Sequence, residues 1–172
     1  MLRAVADDLA SRLLAASELR GDFVLSSGRR SSVYFDKFRF LTDPDLLKET
    51  AHAVAELLPE GITHLAAPEG AATLLVAAVA LEIGLPIAVV RKEPKEYGTR
   101  SQVEGAVAAG AQVALIEDVS TTGHQVLAAA KVLEAIGCEI GLIVLAIDRG
   151  GAQHLRDAGY WVKSVVEVRP AD

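Results

Sequence analysis

Two adjacent carboxylates, Glu117 and Asp118, stand between an apolar run and a turn that is rich in hydroxyl groups. The run before them, Val113–Ile116, contains β-branched residues and is typical of a strand buried on both faces. We expect this strand to end at the two acids. The turn, Ser120–Gly123, supplies hydroxyls, backbone amides and one conformationally permissive glycine. Apolar residues then resume at helical spacing, which predicts a helix over Gln125–Ile136.

This order of residues suits a ligand that carries both hydroxyl groups and a phosphate. A helix N-terminus has unpaired amides and partial positive charge, so the turn at Ser120–Gly123 favours a phosphate. Two carboxylates would repel that phosphate unless they face hydroxyl donors or a metal ion. A ribose 5-phosphate fits, with its diol on Glu117 and Asp118 and its phosphate on the turn. The alternative is that these residues are solvated turn residues and helix caps.

Composition limits the classes of protein to which the chain can belong. Its 172 residues are enough for a single domain, 1–172, with a full core. The formal charge of -6 argues against broad binding of nucleic acid or anionic membranes. The single cysteine, Cys138, excludes an internal disulfide framework, so we expect a reducing, cytoplasmic location. The longest apolar run, Ala71–Leu81, is too short to span a bilayer.

Alternation of short apolar runs with helical patterns predicts the fold class. The first 19 or so residues predict an amphipathic helix rather than a signal peptide, and two short strands, Phe23–Leu25 and Val33–Phe35, follow. Asp43 and Pro44 predict a helix start, and Gly84 predicts the end of a later helix that runs through Ile83. Strands are then predicted over 62–66, 87–90, 113–116, 141–147 and 162–168, with helices between them. This pattern indicates an α/β protein with a parallel sheet covered on both faces.

Charged pairs follow three of the predicted strands directly. They are Arg91 with Lys92, Glu117 with Asp118, and Asp148 with Arg149. Ligands of parallel α/β sheets bind beyond the carboxyl ends of the strands, so we expect all three pairs to gather at one edge. Charges at strand ends are also common solvent-exposed caps, but three pairs of both signs favour a polar site.

The segment RKEPKEYGTRSQVEG, residues 91–105, is too polar and too rich in helix breakers for a core element. It is also longer than a tight connection between strands requires. A mobile lid is the functional interpretation, and a solvated charged loop is the alternative. No G-x-G-x-x-G follows any strand and no G-x-x-x-x-G-K-[ST] is present, so neither a dinucleotide-binding fold nor an ATPase is indicated.

The two segments together resemble a known family. IEDVSTTG resembles the phosphoribosyl pyrophosphate (PRPP) signature of type I phosphoribosyltransferases, and the loop from Arg91 to Gly105 resembles the flexible loop of orotate phosphoribosyltransferases. FVLSSGRRSSVYFD resembles the segment of the same family that passes the base. The resemblance implies a type I phosphoribosyltransferase fold with a small hood from about residues 20–40 and a lid of about residues 92–105. It also implies transfer of phosphoribosyl from PRPP to orotate.

The resemblance also implies roles for individual residues. Lys95 is expected to be catalytic, because a cation in the lid can stabilise the charge that develops on departing pyrophosphate. Residues implied to bind PRPP are Arg91, Lys92, Lys95, Tyr97, Glu117, Asp118, Val119, Ser120, Thr121, Thr122, Gly123, His124 and Gln125. Residues implied to bind orotate are Tyr34, Phe35, Thr121 and Arg149. Mg²⁺ is expected to be held mainly by PRPP and water, and a homodimer is expected to share the lid between subunits.

Several positions depart from the family pattern. Some members have a lysine where Ser26 stands, and Glu69 places a carboxylate in the turn APEGAA, which is expected to approach pyrophosphate. Ser120, His124 and Gln125 also differ from the commonest continuation of the PRPP signature. Two alternatives remain: a phosphoribosyltransferase for another base, and a non-catalytic regulator that binds PRPP or nucleotide on the same fold.

Overall fold

The computed structural model describes residues 2–24, 28, 30–94 and 101–168, with side chains from residue 8 onward. Helices in these ranges are α1 Leu2–Ser17, α2 Phe38–Leu41, α3 Pro44–Leu57, α4 Ala72–Ile83, α5 His124–Ala135 and α6 Gly151–Asp157. Strands are β1 Glu18–Val24, β2 Arg30–Phe35, β3 His64–Pro68, β4 Ile87–Val90, β5 Val103–Glu104, β6 Gln112–Ser120, β7 Glu139–Asp148 and β8 Val162–Glu167. Ser26, Lys95 and Tyr97 lie outside the described residues.

The main sheet is mostly parallel, as the sequence predicts. Its strand order is β5-β4-β3-β6-β7-β8, and β5 is antiparallel to its neighbour while the other pairings are parallel. Successive side chains of a strand point to opposite faces, so each apolar strand contributes to two cores. One core packs against α1 to α4 and the other against α5 and α6. The predicted α/β fold, with helices on both faces of the sheet, is therefore confirmed.

The central strand β6 extends further than the sequence predicts. We expected it to end at Ile116, but it continues through both acids to Ser120. Its neighbour β7 is equally long, so Glu117 pairs with Leu145 and Ser120 pairs with Asp148 in the parallel ladder. The prediction was wrong because a backbone ladder stabilises a strand whatever its side chains, provided that buried carboxylates find partners.

Capping residues set the helix boundaries much as the sequence predicts. Asp43 caps α3, and its Oδ1 accepts hydrogen bonds from the amides of Asp45 and Leu46, both at 3.0 Å. Gly84 ends α4 in the left-handed conformation with φ of 74°. Among the described residues, no helix combines the length and the apolar character that crossing a membrane requires.

A two-stranded antiparallel hairpin, β1–β2, stands apart from the main sheet. Both strands are longer than the predicted Phe23–Leu25 and Val33–Phe35, and the register shifts between Arg20 and Phe23. The chain leaves β2 and returns to the body of the protein, where the amide of Asp36 donates to the carbonyl of Ser17 at 2.8 Å. This hairpin lies in the segment from which the resemblance predicts a hood.

Part of the predicted lid is anchored to the sheet. The amide of Arg91 donates to the carbonyl of Gln102 at 2.8 Å, and the Gln102 side chain donates to the Arg91 carbonyl at 2.9 Å. Gly105 follows β5 with φ of +98°, and a Cβ there would lie 2.5 Å from the Ile87 carbonyl oxygen. Residues 101–105 therefore form a fixed base for the loop, while movement of the lid stays a prediction.

Candidate functional site

The three charged pairs that follow strands lie along one edge of the sheet. β4, β6 and β7 are parallel, so their carboxyl ends share that edge. Ser120 pairs with Asp148 in the ladder, and the amide of Arg149 donates to the Ser120 carbonyl at 2.7 Å. Arg149 thus begins directly beside the end of the strand that carries Glu117 and Asp118. The prediction that these pairs share one edge is confirmed.

Glu69, which departs from the family pattern, joins β3 to the exit of β4. Its amide donates to the Val90 carbonyl at 2.7 Å, and its Oε1 accepts from the amide of Lys92 at 2.9 Å. The Glu69 carboxylate therefore has a backbone hydrogen-bond donor, the amide of Lys92. This contact places the start of the predicted lid next to the APEGAA turn.

Both acids of β6 are almost completely buried. Glu117 is 3% exposed and the Asp118 side chain is 0% exposed. Asp118 Oδ1 accepts from Lys37 Nζ at 2.9 Å, and Glu117 Oε1 accepts from the amide of Asp118 at 3.1 Å. Burial, together with the neighbouring charge of Asp118, raises the pKa of Glu117 to about 8, while the charge of Lys37 opposes the shift. Lys37 thus places a positive charge against the two buried acids.

Lys37 is a site residue that sequence reasoning missed. It follows β2 by two positions, and 81 residues separate it from Asp118. Patterns over a few neighbouring residues cannot predict a contact between two residues so far apart. The available signal was its position directly after the Tyr34-Phe35-Asp36 segment, which already resembled the base-side part of a known family.

The hydroxyl-rich turn leads directly into α5, as the sequence predicts. Gly123 occupies the N-cap with φ of 77°, and this end of the helix has no capping hydrogen bond from a side chain in the part of the chain that the structure describes. Thr121 and Thr122 are exposed, whereas Ser120 and Gly123 are buried and Val119 is half-buried. The first turn of a helix has amides without intrahelical partners. Hydroxyl groups and amides therefore surround a position that suits an anion.

Close packing against α6 fixes the shape of this turn. A Cβ built on Gly151 would lie 2.8 Å from the Cβ of Ser120 and 2.9 Å from the amide nitrogen of Gly123. A Cβ on Gly123 would lie 2.8 Å from the Gly151 carbonyl oxygen. Asp148 Oδ1 accepts from the amides of Gly150 and Ala152 at 2.9 and 3.0 Å. The conformation of the turn thus depends on a glycine that lies outside the PRPP signature.

Two of the residues predicted to contact the base meet in the structure. The Arg149 guanidinium carbon lies 4.8 Å from the centroid of the Phe35 ring. Tyr34 points to the other face of the hairpin, where it is 41% exposed and its ring lies 5.5 Å from that of Phe23. A planar cation against an aromatic ring can receive a flat ligand that carries a carboxylate.

A cavity of about 350 Å³ lies between α5 and the exit of β4. Four residues predicted to bind PRPP line it: Arg91, Lys92, His124 and Gln125. His124 is exposed, and its ring stands 4.8 Å from that of His154. Arg91 also approaches Glu104 at 3.8 Å. The basic residues Arg91 and Lys92 of the predicted site therefore line an accessible cavity, whereas the acids of β6 are buried.

Comparison with known proteins identifies the family. The phosphoribosyl transferase domain matches residues 39–171. The orotate phosphoribosyltransferase of Thermococcus gammatolerans is 42% identical over 168 residues, which cover 94% of this chain and 89% of that protein. The chain belongs to the orotate phosphoribosyltransferase family. The family member from Methanopyrus kandleri is also 42% identical, over 92% of this chain and 87% of its own.

Solved structures of orotate phosphoribosyltransferases have the same fold. The enzyme of Aeropyrum pernix is 34% identical, with a TM-score of 0.76 over 98% of this chain and 94% of its own. The Mycobacterium tuberculosis enzyme, solved in complex with PRPP, is 24% identical, with a TM-score of 0.79 over 94% and 95% of the two chains. The type I phosphoribosyltransferase fold predicted from the sequence is confirmed.

Among the described residues, no group of three or more His, Cys, Asp or Glu side chains could hold a metal ion. Glu117 and Asp118 are both buried.

Proposed function

We propose that the chain transfers the phosphoribosyl group of PRPP to orotate, giving orotidine 5′-monophosphate and pyrophosphate, as a step of pyrimidine synthesis. The observation that carries this proposal is the contact between Arg149 and Phe35. It lies immediately beside the turn Ser120–Gly123, which we call the phosphate turn. It supports a pocket for a flat, anionic base next to a pocket for a sugar phosphate. The relatives with about 40% identity are named for this reaction.

Orotate requires a cation and a flat apolar surface at the same place. In the proposed complex the base lies near Phe35, and Arg149 binds its carboxylate or a carbonyl edge. The hydroxyl of Thr121 is exposed on the turn, from which it can donate to the base. Uracil and adenine lack the carboxylate, so neither base could form the charged contact with Arg149 that orotate would form.

PRPP requires separate sites for its 5′-phosphate, its diol and its pyrophosphate. The turn Ser120–Gly123 suits the 5′-phosphate, and the acids Glu117 and Asp118 suit the diol once they become accessible. Arg91 and Lys92 line the adjacent cavity and suit the pyrophosphate. Mg²⁺, carried by PRPP and water, supplies further positive charge against the leaving group.

In the transfer, the bond between the ribose C1 and a pyrophosphate oxygen breaks, and a bond from C1 to the base nitrogen forms as that nitrogen loses its proton to pyrophosphate or solvent. Pyrophosphate takes the electron pair of the broken bond, so cations there stabilise the transition state. We assign this role to Lys95, with Tyr97 as a PRPP contact, from the resemblance of the lid. A closed lid would also exclude water that hydrolyses the activated sugar.

We further propose a cytoplasmic homodimer in which the lid reaches the neighbouring subunit. The apolar surface of α4 supports an interface with a second subunit. Leu81 is 89% exposed, Leu74 is also exposed, and no charged residue precedes Glu82 in this helix. A helix that is apolar all round is normally buried. Sedimentation of the purified protein measures its mass in solution directly.

A steady-state assay separates this function from its alternatives. We expect PRPP- and Mg²⁺-dependent loss of orotate absorbance and no comparable turnover of uracil or adenine. Turnover of another base without orotate turnover would contradict the base assignment and leave the fold intact. Binding of RNA or DNA without any turnover would support a regulator instead.

Replacing Gly151 by alanine should weaken PRPP binding without touching the ligand. The new Cβ would displace Ser120 and the amide of Gly123, so the phosphate turn must shift by several tenths of an ångström. We expect the Kd of PRPP to rise about tenfold or more, because hydrogen bonds to phosphate depend on distance. Calorimetry of the variant measures this. Gln153→Ala, on the exposed side of the same helix, is the control, and unchanged PRPP affinity in Gly151→Ala would refute the role of this packing.

A further inference from the structure

The contact between Lys37 and Asp118 joins the end of the hairpin to the centre of the sheet. Lys37 Nζ lies 2.9 Å from Asp118 Oδ1, and the Lys37 side chain is 36% exposed while that of Asp118 is 0% exposed. The same Oδ1 also accepts from the amide of Val119 at 2.5 Å. Lys37 is therefore the partly solvent-exposed partner of a buried carboxylate.

The burial of Asp118 conflicts with direct access by a sugar. A ribose hydroxyl must reach a carboxylate oxygen to about 2.7 Å, but both oxygens of Asp118 are closed to solvent. Oδ1 is occupied, and Oδ2 is buried without a hydrogen-bond partner among the described residues. An orphaned carboxylate oxygen is unfavourable, so it favours a donor that arrives with the ligand.

Lys37 is the group best able to move away. Its four-carbon side chain is flexible, and its ammonium can be rehydrated because it already meets solvent. The acids cannot move in the same way, since the ladder with β7 holds β6 at Glu117 and Val119, on either side of Asp118. Phe35, two residues before Lys37, packs under Arg149, so displacement of Lys37 occurs at the border of the proposed base pocket.

We propose that Lys37 is a positioning residue that occupies Asp118 in the free protein and is exchanged for the ribose hydroxyls of PRPP. The inference rests on the proposed function, because it assigns PRPP as the incoming ligand. It explains why an acid of the ribose site is buried before the ligand arrives. Lys37 keeps the charge of Asp118 balanced until Mg²⁺-bound PRPP supplies new partners.

The first experiment measures the contact without ligand, by thermal unfolding of Lys37→Met, Asp118→Asn and the double variant. We expect Lys37→Met to lower Tm by about 5 °C, since it leaves a buried charge without its partner. The double variant should be more stable than the sum of the two single effects predicts, because it removes both charges. Lys37→Arg should stay close to the wild type. Strictly additive effects would overturn the inference.

The second experiment measures the Kd of PRPP with Mg²⁺ by calorimetry on the full chain. If Lys37 competes with the ribose, Lys37→Met should bind PRPP roughly five- to tenfold more tightly although it is less stable. A side chain with a merely structural role would not tighten binding. Lys48→Met, an exposed lysine on α3, is the matched control.

The outcomes separate this inference from the proposed function. Weaker PRPP binding by Lys37→Met would indicate direct contact between Lys37 and PRPP, and unchanged binding would indicate no exchange; either result overturns the inference alone. Absence of PRPP binding by the wild-type protein would overturn the proposed function as well.

Discussion

Replacing Lys95 by alanine is expected to lower kcat by about two to three orders of magnitude, with less than about a threefold change in the KM of PRPP. The reason is that negative charge on pyrophosphate grows as its bond to the ribose breaks. A cation delivered by the lid therefore stabilises the transition state more than bound PRPP. Steady-state kinetics with saturating orotate measures both constants.

Lys131→Ala provides the matched control for Lys95→Ala. Lys131 is exposed on α5 and pairs with Glu134 at 2.8 Å, away from the phosphate turn. We expect its kcat to equal that of the wild type. A Lys95→Ala enzyme with nearly unchanged kcat would refute the catalytic role of the lid, and a large rise in KM alone would assign Lys95 to ground-state binding.

Replacing Arg149 by methionine is expected to lower kcat/KM for orotate by about 100-fold or more. Methionine keeps an apolar contact with Phe35 but removes the guanidinium that the orotate carboxylate requires. Loss of one partner from a close charged pair is worth roughly 2–5 kcal/mol, which corresponds to this factor or a larger one. The Kd of PRPP should change less than about threefold, because the amide of Arg149, not its side chain, contacts the end of β6.

Arg156→Met is the control for the loss of a nearby guanidinium. Arg156 lies on α6 and approaches Glu167 at 3.9 Å. Equal loss of orotate and PRPP affinity in Arg149→Met would indicate a distorted site rather than a lost carboxylate contact. Lys in place of Arg149 should recover only part of the activity, since an ammonium lacks the planar pair of donors.

The sequence predicted the features that depend on local patterns. Apolar runs identified the parallel strands, and Asp43 and Gly84 identified helix ends, because strand burial and helix capping act over a few residues. The rule for carboxyl ends of parallel strands placed Arg149 beside the acids. Resemblance to a family, rather than residue chemistry, supplied PRPP and orotate.

Features that depend on distant parts of the chain were not predicted. The extension of β6 past Glu117 depends on the length of β7, and burial of Asp118 depends on Lys37, which is 81 residues away. The need for glycine at 151 arises from the approach of α6 to the phosphate turn. None of these contacts leaves a periodic pattern in the sequence.

The central claim is that Arg149, the acids of β6 and the turn at 120–123 form one site for orotate and PRPP. A crystal structure of the protein with orotate and a non-reactive PRPP analogue tests it most directly. We predict the orotate carboxylate within about 3 Å of the Arg149 guanidinium and the 5′-phosphate on the amides of the turn. Orotate bound away from Arg149, or a phosphate bound away from the turn, would contradict the claim.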